Sequence, residues 1–381
     1  MEKVFDTHIH YSFDIPMKEM VEIFKEEFEE TGTEKFVFLS LPHHASGKGL
    51  YLSVDQNAKG LFLKHAFSPN AYAFAGLIHP QIQISDEERA EMYYNQVVQY
   101  HSVGYDGIKM LEGHPTLRKA MGIALNSPAY DKFYAYLEEV GMPIIMHVAD
   151  PAESWDMETA SESAKALGRT YAEAFPSKRQ LTDEVFGVLE KHPKLKFGLA
   201  HFGFMSYDIA EAERFLSYEN TFFDLTPGGE QLINMSNAWG KWLPFFEKHQ
   251  NRILYGSDFY AFPKKDEIEW RTAFRRRPDF LRQFFETEKE FLYIDQMFCG
   301  VKIDKMLRDK LYRDNFMELL GEPKSIDIDN FKNEVHRLLK NPPNGKEYYT
   351  KDSIIDISKP ENLKKVQERY KSDLRFMLEK L

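Results

Sequence analysis

The sequence contains a single cysteine, Cys299, among 381 residues. One thiol cannot form an intramolecular disulfide or a cysteine-based zinc site, so any metal ion must be bound by histidine and carboxylate side chains. No segment approaches the roughly 20 continuous apolar residues of a membrane-spanning helix. An apolar strand pattern begins almost at Met1, which leaves no room for a signal peptide. We therefore expect a cytoplasmic protein that does not enter a membrane.

Positive charge is also scarce, with 49 Lys and Arg against 60 Asp and Glu and a formal net charge of −11. This balance argues against binding to nucleic acid or to anionic lipid, and it leaves a small molecule as the expected partner. The one basic run, Arg275-Arg276-Arg277, lies among acidic neighbours such as Asp279. We interpret the run as a solvated face, with binding of a substrate anion as the alternative. The sequence is compatible with a homodimer.

Short β-branched and aromatic runs alternate with longer helical patterns, which is typical of βα units around a parallel sheet. The predicted strands are 4–9, 36–40, 72–78, 107–111, 143–147, 195–201, 221–225 and 253–257. Helices are predicted over 17–30 and 131–140, ending before Gly32 and Gly141. Eight such strands predict an α/β fold, a (β/α)8 barrel, over residues 1–321. A lid-like insertion (150–178) and a C-terminal helical extension (322–381) complete the predicted organisation.

Five polar residues occupy the predicted strands where a barrel would gather them. His8 and His10 are separated by one residue on the first strand and therefore share a face. His147, His201 and Asp258 stand at the ends of strands five, six and eight. Any one of these is more simply a polar residue that terminates a buried strand. Because the carboxyl ends of all barrel strands face one mouth, the five together predict a metal site there.

This set of motifs resembles the amidohydrolase superfamily, in particular the group similar to aminocarboxymuconate-semialdehyde decarboxylase, over approximately residues 1–320. The resemblance implies that His8, His10, His147 and Asp258 are metal ligands and that His201 orients a water molecule or polarises the reacting group. Asp258 would then act as general base and afterwards as general acid. We expect one divalent ion. Zinc is preferred because the site is rich in nitrogen ligands, and Mn²⁺, Fe²⁺ and Co²⁺ remain alternatives because ligand type alone does not separate these ions.

Lys109 at the end of strand four leaves the number of ions open. In two-metal members of the superfamily a carboxylated lysine at this strand bridges both ions, and His201 would then be a ligand of the second. The alternatives are that Lys109 pairs with Glu112 or binds a substrate anion. Several residues just past strand ends are candidates to line a substrate pocket: Tyr11, Phe13, Glu112, His114, Trp155, Phe202, Thr226, Glu230 and Tyr260.

Three functions remain open on the sequence. The first is hydrolysis of a C–N or C–O bond in a small polar metabolite such as an amide, a cyclic amide or a lactone. The second is metal-dependent, non-oxidative decarboxylation of an unsaturated or aromatic acid, which requires a cationic group, such as Lys109, Arg118 or Arg169, for the substrate carboxylate. The third is a barrel that binds metal or ligand without turnover.

Overall fold

The computed structural model describes residues 1–11, 15–42, 55–80, 82–160, 162–166, 168–227, 231–260, 267–293, 296–342 and 359–381. The strands are β1 (Val4–His10), β2 (Thr33–Leu39), β3 (Ala71–Gly76), β4 (Gly107–Gly113), β5 (Ile144–Val148), β6 (Phe197–Leu199), β7 (Thr221–Asp224), β8 (Ile253–Leu254), β9 (Phe259–Tyr260), β10 (Glu290–Tyr293) and β11 (Gln296–Cys299).

The first eight helices are α1 (Met17–Thr31), α2 (Gln56–Ala66), α3 (Asp86–Val103), α4 (Pro115–Met121), α5 (Asp131–Val140), α6 (Glu162–Ala166), α7 (Lys178–Lys191) and α8 (Ile209–Leu216). The others are α9 (Gln231–Asn237), α10 (Trp239–Lys248), α11 (Glu267–Glu286), α12 (Lys305–Asp309), α13 (Asn315–Leu320), α14 (Ile328–Lys340) and α15 (Pro360–Lys380). The predicted helices at 17–30 and 131–140 are confirmed as α1 and α5. Gly32 and Gly141 end them with φ of 71° and 66°, a left-handed conformation that favours glycine.

The strands form a parallel sheet in the order β8-β7-β6-β5-β4-β3-β2-β1-β9. Of the predicted eighth strand, 253–257, only β8 is strand, and it pairs with β7; β9 follows beyond the predicted range and pairs with β1. Between them the Thr7 backbone N–H donates to the Tyr255 carbonyl at 3.1 Å. The segment 253–260 therefore contacts both the seventh and the first strand, which is the closure expected of a (β/α)8 barrel. The predicted fold class is confirmed.

Two features lie outside the barrel repeat. β10 and β11 form an antiparallel hairpin that the sequence pattern did not predict. Helix α15 packs on α14 and α1. Asp373 of α15 is 3% exposed, and its carboxylate accepts a hydrogen bond from the Met17 backbone N–H and lies 3.0 Å from Lys59 Nζ. The C-terminal helix thus contacts the start of the helix that follows β1.

The interior of the fold is built from apolar strand residues and the apolar faces of the surrounding helices. Within the described ranges, no helix combines the length and hydropathy that crossing a membrane requires.

Candidate metal centre

Strand β1 carries the first two polar residues of the site. His8 and His10 lie on one face of the strand, and their side chains are buried, at 0% and 6% exposure. Their Nε2 atoms are 3.1 Å apart. Two ligand nitrogens bound to one ion at about 2.1 Å would lie about 3.0 to 3.4 Å apart, depending on the coordination angle. The spacing of this pair fits a shared divalent ion.

The hydrogen-bond partners of the two rings decide which nitrogen carries the lone pair. His8 Nδ1 donates to Asp224 Oδ2 at 2.7 Å, and His10 Nδ1 donates to the Leu39 carbonyl at 3.0 Å. Burial, more than any neighbouring charge, lowers the pKa of His10 to about 4 and that of His8 well below its usual value. Both rings are therefore neutral at pH 7, and both Nε2 atoms present lone pairs to the same point. Such a pair is stabilised by a cation.

Asp258 lies just beyond β8 and supplies a carboxylate to this pair. Its Oδ1 atom is 3.7 Å from His8 Nε2 and 3.6 Å from His10 Nε2. The residue has φ of 52°, a conformation that costs a non-glycine residue of order 1–3 kcal/mol and is concentrated at functional sites. Burial alone would raise the pKa of Asp258, but the neighbouring Arg277, His8 and His10 lower it, so the side chain is an anion at pH 7.

Arg277 donates to Oδ2 and to the backbone carbonyl of Asp258. The interpretation of the basic run as a solvated face is therefore wrong for two of its three members. Arg277 reaches the metal-ligand candidate, while Arg275 Nε donates to Glu27, a fully buried carboxylate, at 2.6 Å. The run lies on α11, and the closed barrel brings this helix against β9, which follows Asp258. Sequence neighbours alone could not indicate that contact.

Lys109 of β4 belongs to the same site. Its Nζ atom is 3.3 Å from His8 Nε2, and its side chain is 1% exposed. Burial lowers the pKa of Lys109 to about 8, against the opposing effect of Asp224 and Asp258. Glu112, the partner suggested for Lys109, instead contacts His79, with Oε1 2.9 Å from His79 Nε2. The lysine thus contacts the candidate metal ligand rather than Glu112.

His201 follows β6 in a left-handed turn, in which His201, Phe202 and Gly203 have φ of 54°, 52° and 58°. The His201 backbone N–H donates to Asp224 Oδ1 at 2.9 Å. Its ring centroid is 5.5 Å from that of His8. The buried Nδ1 atom has no hydrogen-bond partner within the described ranges. Burial, together with the charges of neighbouring histidines, lowers its pKa well below the usual value, so the ring is neutral.

His147 is not in the cluster formed by His8, His10 and Asp258. Its ring lies next to His201, with centroids 4.9 Å apart, and its Nε2 atom is 2.8 Å from the Ala149 carbonyl. Together with His114 and Asp150 it forms a second group of potential ligand atoms. The structure thus divides the predicted ligands between two adjacent clusters.

The remaining pocket candidates have different surroundings. Tyr260 lies near His10, with ring centroids 6.1 Å apart. Trp155 packs against Tyr171 in the insertion after β5. Tyr11 is buried and bonds to Ser40 Oγ at 2.6 Å, so it is a core residue. Phe202 is also a core residue.

Phe202 is fully buried and stacks on Phe223, on the side of the barrel that faces α10. Thr226 contacts the site, with Oγ1 3.0 Å from His8 Nδ1. Phe13 and Glu230 lie outside the described residues.

Sequence reasoning missed two buried carboxylates. Asp224 ends β7 and binds both the His8 ring and the His201 backbone, while Asp6 of β1 accepts hydrogen bonds from the backbone and the hydroxyl of Ser257, at 3.0 and 2.5 Å. Asp224 thereby sets the His8 tautomer, and Asp6 ties the first strand to the segment that carries Asp258. A carboxylate as the last residue of a predicted strand was the available signal for Asp224.

Comparisons with known proteins place this geometry in context. A family model described as amidohydrolase matches residues 101–321, more than half of the chain. No curated protein sequence matches. Among solved structures, the 4-oxalomesaconate hydratase of Rhodopseudomonas palustris is 15% identical with a TM-score of 0.51, and the match covers 83% of this chain and 95% of that one.

Two further solved structures are similar at lower scores. A 2,6-dihydroxybenzoate decarboxylase from Rhizobium is 14% identical with a TM-score of 0.48, covering 84% of this chain and 99% of that one. A dihydroxybenzoic acid decarboxylase from Polaromonas, with bound manganese and an inhibitor, is 13% identical with a TM-score of 0.49, covering 84% and 97%. At this identity the similarity to the hydratase shows only a shared fold. No conclusion is drawn from the two decarboxylases, whose TM-scores are below 0.5.

Proposed function

This chain belongs to the amidohydrolase family, and from that premise we propose that it is a metal-dependent hydrolase that cleaves a C–N or C–O bond in a small polar metabolite, such as an amide, a cyclic amide or a lactone. The observation that carries the proposal is the arrangement of His8, His10 and Asp258. Two neutral rings direct lone pairs to one point at a separation of 3.1 Å, and a carboxylate oxygen lies within 3.7 Å of both. This donor set suits a divalent ion.

The proposed metal ligands are His8, His10 and Asp258, joined by His147 from the adjacent cluster. His147 Nε2 donates to the Ala149 carbonyl, which leaves Nδ1 as the ring atom with a lone pair. A divalent ion held by this set would lower the pKa of a water molecule towards neutrality and polarise a substrate carbonyl. We propose one ion, zinc by preference.

Each remaining residue of the site has a proposed role. Asp258, held as an anion, accepts the proton of the attacking water and then delivers it to the leaving group. His201 presents a ring nitrogen without a partner in the described ranges, and it orients the water or the reacting carbonyl. Asp224 keeps the His8 tautomer fixed. The extension 322–381 is proposed to stabilise the barrel and to take no part in the chemistry.

A second candidate function is decarboxylation of an unsaturated or aromatic acid. It is favoured by the two cationic side chains at the site, Lys109 beside His8 and Arg277 beside Asp258. Both could bind a substrate carboxylate. Arg118, another suggested clamp, is already paired with Glu184 through two bonds of 2.9 Å, and Arg169 is exposed.

The experiment that separates these functions is a turnover assay with the metal-loaded protein in ¹⁸O-labelled water. Amides, cyclic amides, lactones and aromatic acids form the substrate panel. Incorporation of ¹⁸O into a ring-opened or cleaved product supports hydrolysis. Release of CO₂ together with an organic product that contains no ¹⁸O supports decarboxylation. Removal of the metal by a chelator should abolish either reaction. Metal binding without turnover of any panel member would support a binding barrel and count against both enzymatic functions.

A further inference from the structure

Asp150 lies at the junction of the predicted lid and the second histidine cluster. It is 1% exposed and follows β5 by two residues. Three side chains converge on its carboxylate. His147 Nε2 is 3.6 Å from Oδ1, His114 Nε2 is 3.4 Å from Oδ2, and the Tyr171 hydroxyl donates to Oδ2. Although burial raises it, the pKa of Asp150 is held well below its usual value by these neighbours.

The tautomers of the two histidines show that this cluster donates hydrogens rather than lone pairs. The Thr116 backbone N–H donates to His114 Nδ1 at 3.2 Å, so in the neutral ring the hydrogen of His114 is on Nε2 and points to Asp150. Burial lowers the pKa of His114 to about 4, which keeps the ring neutral at pH 7. His147 Nε2 likewise faces two oxygen acceptors, the Ala149 carbonyl and Asp150 Oδ1. The Asp150 carboxylate thus accepts a hydrogen bond from Tyr171 and faces the Nε2 atoms of both rings, so it is satisfied without a cation.

The same carboxylate is tied to the insertion 150–178. Tyr171 contacts the Trp155 ring at a centroid distance of 4.9 Å, and its backbone N–H donates to the Ser154 carbonyl at 2.7 Å. Trp155 Nε1 donates to the Pro176 carbonyl at 3.0 Å. Movement of Tyr171 therefore involves Ser154 and Trp155, and through Trp155 the segment at Pro176. The Tyr171 hydroxyl binds the same Asp150 oxygen that faces His114.

We propose that Asp150 is a positioning residue that couples the insertion to the metal centre. Its negative charge, 3.6 Å from His147 Nε2, favours the hydrogen on that nitrogen, which donates to the Ala149 carbonyl, and so leaves Nδ1 as the ligating atom of the ring. By accepting from Tyr171 it anchors the insertion when His147 is in this orientation. Coupling is reciprocal: what orders one partner of Asp150 stabilises the other. This inference rests on the proposed function, because it takes His147 as a metal ligand.

The first test is metal affinity in the full-length apo protein, measured by calorimetric titration with Zn²⁺ and with Mn²⁺. Asp150→Asn removes the negative charge that faces both Nε2 atoms and replaces one acceptor oxygen with a donor. We expect the dissociation constant to rise about 10- to 100-fold, as is usual when a residue that supports a ligating histidine is lost. Asp156→Asn is the matched control, because Asp156 is an exposed carboxylate of the same insertion, and it should leave the dissociation constant unchanged.

The second test is hydrogen exchange of the insertion with and without Zn²⁺. In the wild type, Zn²⁺ should slow exchange in 152–160 and 168–178. Tyr171→Phe removes only the hydroxyl link, so it should keep metal affinity within about threefold, roughly 0.7 kcal/mol, and should lose most of the Zn²⁺-dependent protection.

Equal protection in Tyr171→Phe, or an unchanged dissociation constant in Asp150→Asn, would overturn the coupling while leaving the proposed function intact. Failure of the wild type to bind either metal would instead overturn the proposed function.

Discussion

Asp224→Asn tests the hydrogen bonding that prepares His8 for a metal ion. In the structure one carboxylate oxygen accepts from His8 Nδ1 at 2.7 Å, and the other accepts from the backbone N–H groups of His201 and Thr226, at 2.9 and 3.2 Å. Every neighbour of this carboxylate is thus a hydrogen donor. An asparagine offers one acceptor oxygen and one donor group, so one of its two sides must face a donor.

Both orientations of the asparagine are unfavourable. If the amide nitrogen faces His8, the ring must move its hydrogen to Nε2 and loses the lone pair that would bind metal. If the amide nitrogen faces the backbone, two buried N–H groups lose their acceptor, which costs about 1–3 kcal/mol for each unsatisfied group. We expect a 10- to 100-fold rise in the metal dissociation constant, which corresponds to about 1.4–2.7 kcal/mol.

The assay is titration of the chelator-treated apo protein with Zn²⁺, followed by calorimetry, for the wild type and Asp224→Asn. Asp183→Asn is the control, because Asp183 is a carboxylate on α7 whose side chain is 54% exposed. Far-ultraviolet circular dichroism should show that both variants fold. An affinity for Zn²⁺ within twofold of the wild type in Asp224→Asn would refute the assigned role of this carboxylate.

Three further predictions concern catalysis, stability and pH. Asp258→Asn should fold normally and lose most turnover because it removes the proton acceptor; an unchanged rate would refute that role. Asp373→Ala removes the acceptor of the Met17 N–H and one of two carboxylate partners of buried Lys59, which keeps Asp55 at 3.2 Å. It should cost about 1–3 kcal/mol and lower Tm by roughly 1–4 °C, measured by calorimetry; no shift would contradict the contribution of Asp373. His114 has its pKa lowered by burial to about 4, so its contribution to stability is full above pH 6.5 and is lost as the pH falls towards 4. The free energy of unfolding of His114→Gln, measured in urea, should therefore vary less between pH 4 and 6.5 than that of the wild type. Parallel plots of this free energy against pH would contradict the prediction.

Much of the fold was predictable because its signals are local. The alternation of apolar runs with helical periodicity indicated the barrel strands, and Gly32 and Gly141 ended their helices as expected. The eighth strand was less predictable. Its interruption between β8 and β9 contains Asp258 with φ of 52°, and the backbone of this segment bonds to β1 as well as β7. That geometry depends on closure of the sheet, which no local window of sequence records.

The candidate site shows the same division. The sequence by itself determined that His8 and His10 share a face, because strand periodicity requires it, and that polar residues end the neighbouring strands. Only the tertiary structure decided which hydrogen-bond partners those residues have: Asp224 for His8, Leu39 for His10, and Arg277 for Asp258. The physical reason is that tautomer, charge and ring orientation depend on atoms within a few ångströms, and here those atoms come from segments far apart along the chain.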